Sequence, residues 1–498
     1  MLSRLRREEE GFALVTAIIL LTVMTLLMVV ALSAGNAAFN LAENGARWSR
    51  TLGVAESGLN DAIGRLTADR AATSDCAVDD PVDVCRPIDG QDGEYQVSWR
   101  TVGAGDVEIE SVGYYPTMTG ARQIRKVQIL LEPIPTFRYA LFSASDMEVK
   151  NDQNIAGDIY ATNSVTIGQN TTICGSVLSA NGGVTMANNS VVLKSHTFPS
   201  GHECTDKEGS VWTGGEPGIA MSNGARTEGD AKASAPSSVS PGCATQALYN
   251  ITGGTVEGQA TACGTITSSV PNLPAQPRTL TEPPAVVPLP AFTFDPTNYP
   301  SLNCYPSSGT CGATNTSATA VTQFNAVSKS DMSGSFAIWQ TQPSKTTRID
   351  LDGLSLGGDL TIITNAPIDL GNTGTISTSV PGVTVVIVSL YVPPTGTTCT
   401  TNGGDCSIYG KNSVVFDSGT STDPDDGVAG VLYTPGKMAF KNSSNSAEGA
   451  LYAGSMNIKN GFDIVYNSRI ERILGFGTGL EQTLWNECRP TSDPWACL

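Results

Sequence analysis

The densest group of acids in this 498-residue chain is Asp423-Pro-Asp-Asp426, followed by the pair Asp350 and Asp352. Clustered carboxylates can work as acid and base on a glycosidic bond, or hold calcium beside a sugar. Neither group has calcium-loop spacing, and both stand beside glycine as solvated turn residues do. The only histidines, His196 and His202, have a single cysteine near them, Cys204. Zinc needs four ligands at short spacings, and that pattern does not supply them. No C-x-x-C pair, G-x-S-x-G elbow or phosphate-binding loop occurs. The chain therefore reads as a non-enzyme with no cofactor and no metal. A tethered polysaccharide lyase or hydrolase using Asp425 and Asp426 is the alternative.

Twelve cysteines fall into near neighbours: Cys76/Cys85, Cys174/Cys204, Cys243/Cys263, Cys304/Cys311, Cys399/Cys406 and Cys488/Cys497. An even count at short separations is the pattern of local disulfides formed in an oxidising compartment, with connectivity left open by sequence. Glycine at 52, proline at 28 and charged residues at 15% suit a turn-rich β protein with a Ser, Thr and Asn surface. The net charge of −18 disfavours direct binding of nucleic acid or anionic lipid, which need a basic surface.

The elements that carry these residues begin with Glu8-Glu-Glu-Gly11 and the uncharged run Phe12–Ala34. As a helix that run is about 34 Å long, enough to span a bilayer. Arg4, Arg6 and Arg7 precede it, which keeps the N-terminus in the cytoplasm and sends the bulk of the chain outward. A secretory signal has its cleavage site after the apolar core; here the glycine stands before it. Leu52, Ala55, Leu59, Ile63 and Leu66 continue as one apolar helical face. Tyr95–Val102, Val107–Tyr114 and Arg122–Leu131 follow as three strands of an antiparallel meander able to cover that face.

Gly11-Phe12 ahead of an uncharged helix resembles the leader of type IV prepilins and secretion pseudopilins. Asn44-Gly-Ala-Arg-Trp-Ser-Arg-Thr-Leu-Gly-Val-Ala-Glu-Ser-Gly-Leu59 is similar to the end of the N-terminal helix in PilX-like minor pilins. Glu110-Ser-Val-Gly-Tyr114 and Ala121-Arg-Gln-Ile-Arg-Lys-Val-Gln128 resemble the strands that follow it there. The resemblance covers roughly the first 134 residues. It implies cleavage between Gly11 and Phe12 by a prepilin peptidase, methylation, and assembly with other pilin subunits from the cytoplasmic membrane. Major pilins carry glutamate at the fifth position of the mature chain; this one has Thr16. By analogy with members lacking that glutamate, Thr16 implies a low-copy subunit at a filament tip or in an initiation complex; a membrane-anchored surface β-helix protein outside any filament is a further alternative. Its adhesive targets would be surface glycans, or host or abiotic surfaces.

Beyond Pro133 the pattern changes. Gly157-Asp-Ile-Tyr160 is echoed by Gly430-Val-Leu-Tyr433 and Gly449-Ala-Leu-Tyr452, each followed by a short alternating stretch. Such units, stacked, build a right-handed parallel β-helix; a β-sandwich is the alternative. The expected fold class is α+β. Its parts are a leader (1–11), a transmembrane and amphipathic helix (12–70) and a pilin-like meander (88–134). After these come a first solenoid part with a disulfide-rich insertion (135–270), a proline-rich strap and loop (271–344), a second solenoid part (345–475) and a disulfide-capped tail (476–498).

Overall fold

The computed structural model describes residues 2–68, 93–102, 106–133, 137–198, 201–234, 249–251, 254–262, 266–268, 283–299, 301–307, 311–312, 315–371, 376–378, 380–397, 399, 404–411, 428–441, 445–459, 461–470 and 480–488. The chain forms two units, Met1–Ile134 with Thr478–Leu498, and Pro135–Gly477.

In the first unit a single helix, α1 (Leu2–Ala68), runs through the apolar stretch without a proline to interrupt it. The Thr22 hydroxyl donates to Ile18 O at 2.7 Å and Thr25 to Leu21 O at 3.0 Å, so the polar side chains in the apolar part satisfy themselves one turn back. The last third of α1 packs on a sheet of β1 (Glu94–Val102), β2 (Asp106–Tyr115) and β3 (Gln123–Pro133). Val54, Ala55, Leu59, Ala62 and Leu66 meet Val97, Ile109, Val127, Ile129 and Leu131, all buried. Gly113 lets β2 touch the helix: a Cβ there would stand 2.5 Å from Thr51 O and 2.7 Å from Ala55 N. Lys126 and Glu110 form a buried ion pair at 2.9 Å on neighbouring strands.

The three predicted strands are joined by a fourth. Leu480–Cys488, expected to be a disulfide-capped tail, pairs antiparallel with β3 from Lys126↔Cys488 to Pro133↔Leu480. Its residues 484–487 are all exposed, with the apolar Leu484 and Trp485 side by side, so it carries no apolar alternation to reveal it. Because Pro133 and Leu480 are paired neighbours, residues 135–477 occupy the place of a hairpin loop.

The second unit is a parallel β-helix. Leu141–Ser143, Ile159–Ala161, Val177–Ser179, Val211–Thr213, Ala231–Ala233 and Ala260–Ala262 stack in register as its first face. Met147–Val149, Val165–Ile167, Val184–Met186 and Ile219–Met221 form the second. Asn154–Ala156, Thr172–Cys174, Val191–Leu193 and Arg226–Thr227 form the third. The coil length shows in equivalent bonds 18 residues apart, Asp146 to Ser164 and Asp158 to Ser176. Alternation supplies the core: Val165 and Ile167 point in while Thr166 points out. At one turn Asp152, Asn170 and Asn189 adopt φ of 57°, 52° and 59°, and their side chains bond from coil to coil at 3.0 and 3.4 Å. Asparagine and aspartate tolerate that left-handed conformation better than other side chains.

The second run of coils winds back to meet the start of the first. Leu451 pairs with Leu141, Met456 with Met147 and Ile464 with Ile155, which joins the two into one continuous stack. The repeated Gly-x-Leu-Tyr occupies one position in this stack: Leu432 and Leu451 point inward, and Tyr433 lies over Tyr452 on the outside. Gly449 adopts φ of 137°, against the carbonyl of Gly430, where a side chain would collide. The run begins at Asn303–Tyr305, well before residue 345 where the sequence pattern placed it. Its early strands carry inserts and long connections that hide the period. A short helix, α2 (Ala320–Asn325), buries Ala320, Val321 and Phe324 in the core of these early coils.

The proline-rich segment travels along the outside of the first face. Pro283 stands over Gly214, Val287 N donates to Tyr160 Oη at 2.7 Å, Tyr433 Oη donates to Pro290 O at 2.6 Å, and Phe294 packs edge-on against Trp339 at 5.3 Å. That path crosses eight coil steps, about 38 Å at 4.8 Å each. The eleven steps from Pro283 to Phe294 span about 36–40 Å when fully extended, so the strap has little slack. Proline suits this because an extended strap needs few backbone donors. The strap thereby covers an aromatic ladder, Tyr433, Tyr452, Phe142 and Tyr160, in which Phe142 stacks on both tyrosines at 4.9 and 5.0 Å.

Candidate functional site

The candidate site is the N-terminal half of α1. Gly11 and Phe12 lie within the helix, which begins at Leu2, so the leader and the apolar run form one continuous rod. Thr16 is on the same rod and exposed. From Val15 to Leu41 the large apolar side chains are bare, Phe39 at 71% and Leu41 at 73% exposure among them. This is one helix long and apolar enough to cross a membrane.

Charge is absent from Gly11 to Ala42. The uncharged part of the expected 12–70 helix thus continues past Ala34 through Gly35–Ala42. The first charges beyond it are held in place: Glu43 pairs with Arg47, and Arg50 Nη1 donates to Tyr115 Oη at 3.0 Å. Arg125 stacks over the Trp48 ring at 5.5 Å. The polar end of the bare segment is thus tied to the sheet, while the segment itself has no protein cover among the described residues.

Among the described residues three of the expected pairs are disulfides: Cys174–Cys204, Cys304–Cys311 and Cys399–Cys406. Cys174–Cys204 pins a two-stranded hairpin, His196–Thr197 with Glu203–Cys204, onto the third face, where Phe198 packs with Ala156. His196 stands edge-on to Phe198 at 4.8 Å, and burial holds the His202 imidazole below its ordinary pKa. Cys488 ends the edge strand, whereas Cys76, Cys85, Cys243, Cys263 and Cys497 lie outside the described residues.

Asp350 bonds Lys329 Nζ at 3.2 Å and accepts from Asp352 N at 2.9 Å, as a residue organising a turn does. Asp423, Asp425 and Asp426 lie outside the described residues, as does Trp495; Trp485 is 45% exposed on the edge strand. Among the described residues no group of three His, Cys, Asp or Glu side chains is placed to hold a metal ion.

No protein-family model matches the chain. No curated protein matches it either. Among solved structures, the competence-associated pilin ComZ from Thermus thermophilus aligns over 89% of this chain and 98% of its own, at 11% identity and a TM-score of 0.22. A superposition that loose carries no argument, and the functional reading stands on the geometry above.

Proposed function

We propose that this chain is a minor-pilin-like subunit, processed after Gly11, anchored by α1 and presenting its β-helix outside the cytoplasmic membrane. The observation that carries the reading is the length of bare, uncharged helix. Gly11–Ala42 extends about 48 Å, while the hydrocarbon core takes up about 30 Å. A plain anchor leaves the remaining apolar surface, with Phe39 and Leu41, in water. Neighbouring pilin-type helices would cover it. Arg4, Arg6 and Arg7 on the leader favour a cytoplasmic N-terminus before processing.

Thr16 supports a low-copy position. A carboxylate there would demand a partner within the membrane, at about 2.5–3.5 kcal/mol if left unpaired. A threonine demands none, so this subunit can sit where no subunit stacks beneath it. The role is structural and adhesive, or assembly-initiating, and not enzymatic. The partners are a prepilin peptidase, other pilin subunits and the membrane, and the acidic charge argues against direct nucleic-acid binding.

Substituting Gly11→Ala tests the reading in cells that hold a prepilin peptidase. The variant should remain in the membrane fraction yet keep its eleven-residue leader. Normal shortening of that variant, or a wild-type chain that is never shortened, contradicts the proposal.

A further inference from the structure

The three outer faces of the β-helix are dressed differently. The strap covers the first and the disulfide-pinned hairpin lies on the third. The second carries a polar row in successive coils, Asn457, Glu148, Thr166 and Thr185, with both threonines exposed. Above the start of this row is a cleft of about 430 Å³. Cys399 of the loop after Tyr391 forms part of its wall. The Cys399–Cys406 disulfide closes that loop, and Lys437 Nζ, donating to Thr397 O at 2.7 Å, holds it.

We propose that this cleft binds a neutral, hydroxyl-rich ligand, a sugar residue of a surface glycan. The inference deepens the adhesive reading above and rests on it only for where the cleft is displayed. The lining sets Asp146, Glu148, Ser164, Thr166, Ser455 and Asn457 beside three methionines, a mixture that suits a sugar's hydroxyls and C–H faces better than a wholly apolar ligand. An anion meets two carboxylates on a chain of net charge −18. A metal cation finds the carboxylates already engaged. Asp146 Oδ1 accepts from Ser164 N and Oγ at 3.2 and 2.6 Å, while Glu148 accepts from Asn457 Nδ2 at 2.5 Å and pairs with Lys150.

What remains suits hydroxyls, which both donate and accept. Ser455 and Thr166 offer hydroxyls of their own, and the Lys437 ammonium has donors beyond the one given to Thr397. Asn457 Oδ1 is buried with no hydrogen-bond partner, and its orientation is fixed because its amide nitrogen faces Glu148. The side chains sit on strands, and coil-to-coil pairing fixes their spacing at about 4.8 Å.

The test is saturation-transfer NMR and titration of the full chain in detergent. The probes are the methyl glycosides of glucose, galactose, mannose, fucose and N-acetylglucosamine. At least one should bind in the millimolar range. Asn457→Ala and Glu148→Gln should each weaken it tenfold or more, with Thr166→Ala, at an exposed position that folding does not depend on, weakening it severalfold. Lys232→Ala, on the first face, should leave it unchanged. Absence of binding by all five probes, or binding indifferent to the Asn457, Glu148 and Thr166 substitutions, overturns the proposal. Leader processing is read separately on the same preparation, so failure of the cleft and failure of the pilin-like reading are told apart.

Discussion

Two rows of apolar side chains run down the outside of this protein, and the chain treats them in opposite ways. On the β-helix, Tyr433, Tyr452, Phe142 and Tyr160 face outward but are at most 3% exposed, because the strap packs over Tyr160 and Tyr433 while Phe137 and Tyr139 pack over Tyr452 and Phe142. On α1, the large side chains from Val15 to Leu41 are bare, more than half exposed throughout. Among the described residues an extended proline-rich segment shields one row and nothing covers the other. On the proposed reading the first row is kept from water, while lipid and then neighbouring protein cover the second.

The largest effect that sharpens this contrast is expected at Tyr452, which lies where the two runs of coils meet and whose Oη accepts from Tyr139 N at 3.0 Å. Tyr452→Ala should cost about 3–5 kcal/mol, read as a lower denaturant midpoint of the full chain in detergent. A loss under about 1 kcal/mol would mean the covered row contributes little beyond ordinary surface. Next comes Leu27, 62% exposed on α1. Leu27→Lys should disfavour membrane insertion by about 2.5–3.5 kcal/mol, and less protein should reach the membrane fraction. Unchanged membrane yield would mean that this part of α1 does not sit in lipid.

Alkaline pH should loosen the covered row in particular. Burial pushes the Tyr433 and Tyr299 hydroxyls up to about 12, from 10.0, and raises Tyr452 as well. The unfolded chain therefore releases these protons first. Their contribution is fully present below pH 10.0 and is lost as pH rises through about 12, by about 1.4 kcal/mol per pH unit for each tyrosine. Unfolding followed at pH 9 and pH 11 reads the difference; equal stability at both contradicts the buried placement. The smallest effect belongs to Tyr433→Phe, which removes the hydroxyl's bond to Pro290 O and its bond with the Phe292 backbone and should cost about 0.5–1.5 kcal/mol per bond. Limited proteolysis within the strap should quicken in that variant while the helix stays as resistant as before.

How much of this was legible in the sequence depends on how far apart the partners lie. The apolar face of α1 and the three strands of the meander are local patterns, and their positions differ from the structure by only a few residues. Val54 and Ala62 are additional members of the buried face. The Gly-x-Leu-Tyr repeats marked the coils because a stacked fold asks for the same residue at the same position. The order of the coils was hidden, since Asn457 and Glu148 meet across 309 residues and no spacing rule reaches that far. The cleft was hidden for the same reason. The edge strand Leu480–Cys488 was missed because its apolar residues, Leu480, Leu484 and Trp485, do not alternate, and the strap's destination because extended proline-rich chain has no period to read.

The central claim is that the bare half of α1 belongs to a processed, assembling subunit. Mass spectrometry of the N-terminus of the native, membrane-extracted protein tests it most directly. The account predicts a chain beginning at Phe12, with Glu8–Gly11 and everything before them gone. A chain that still begins at Met1, or one cut beyond Ala34, contradicts it.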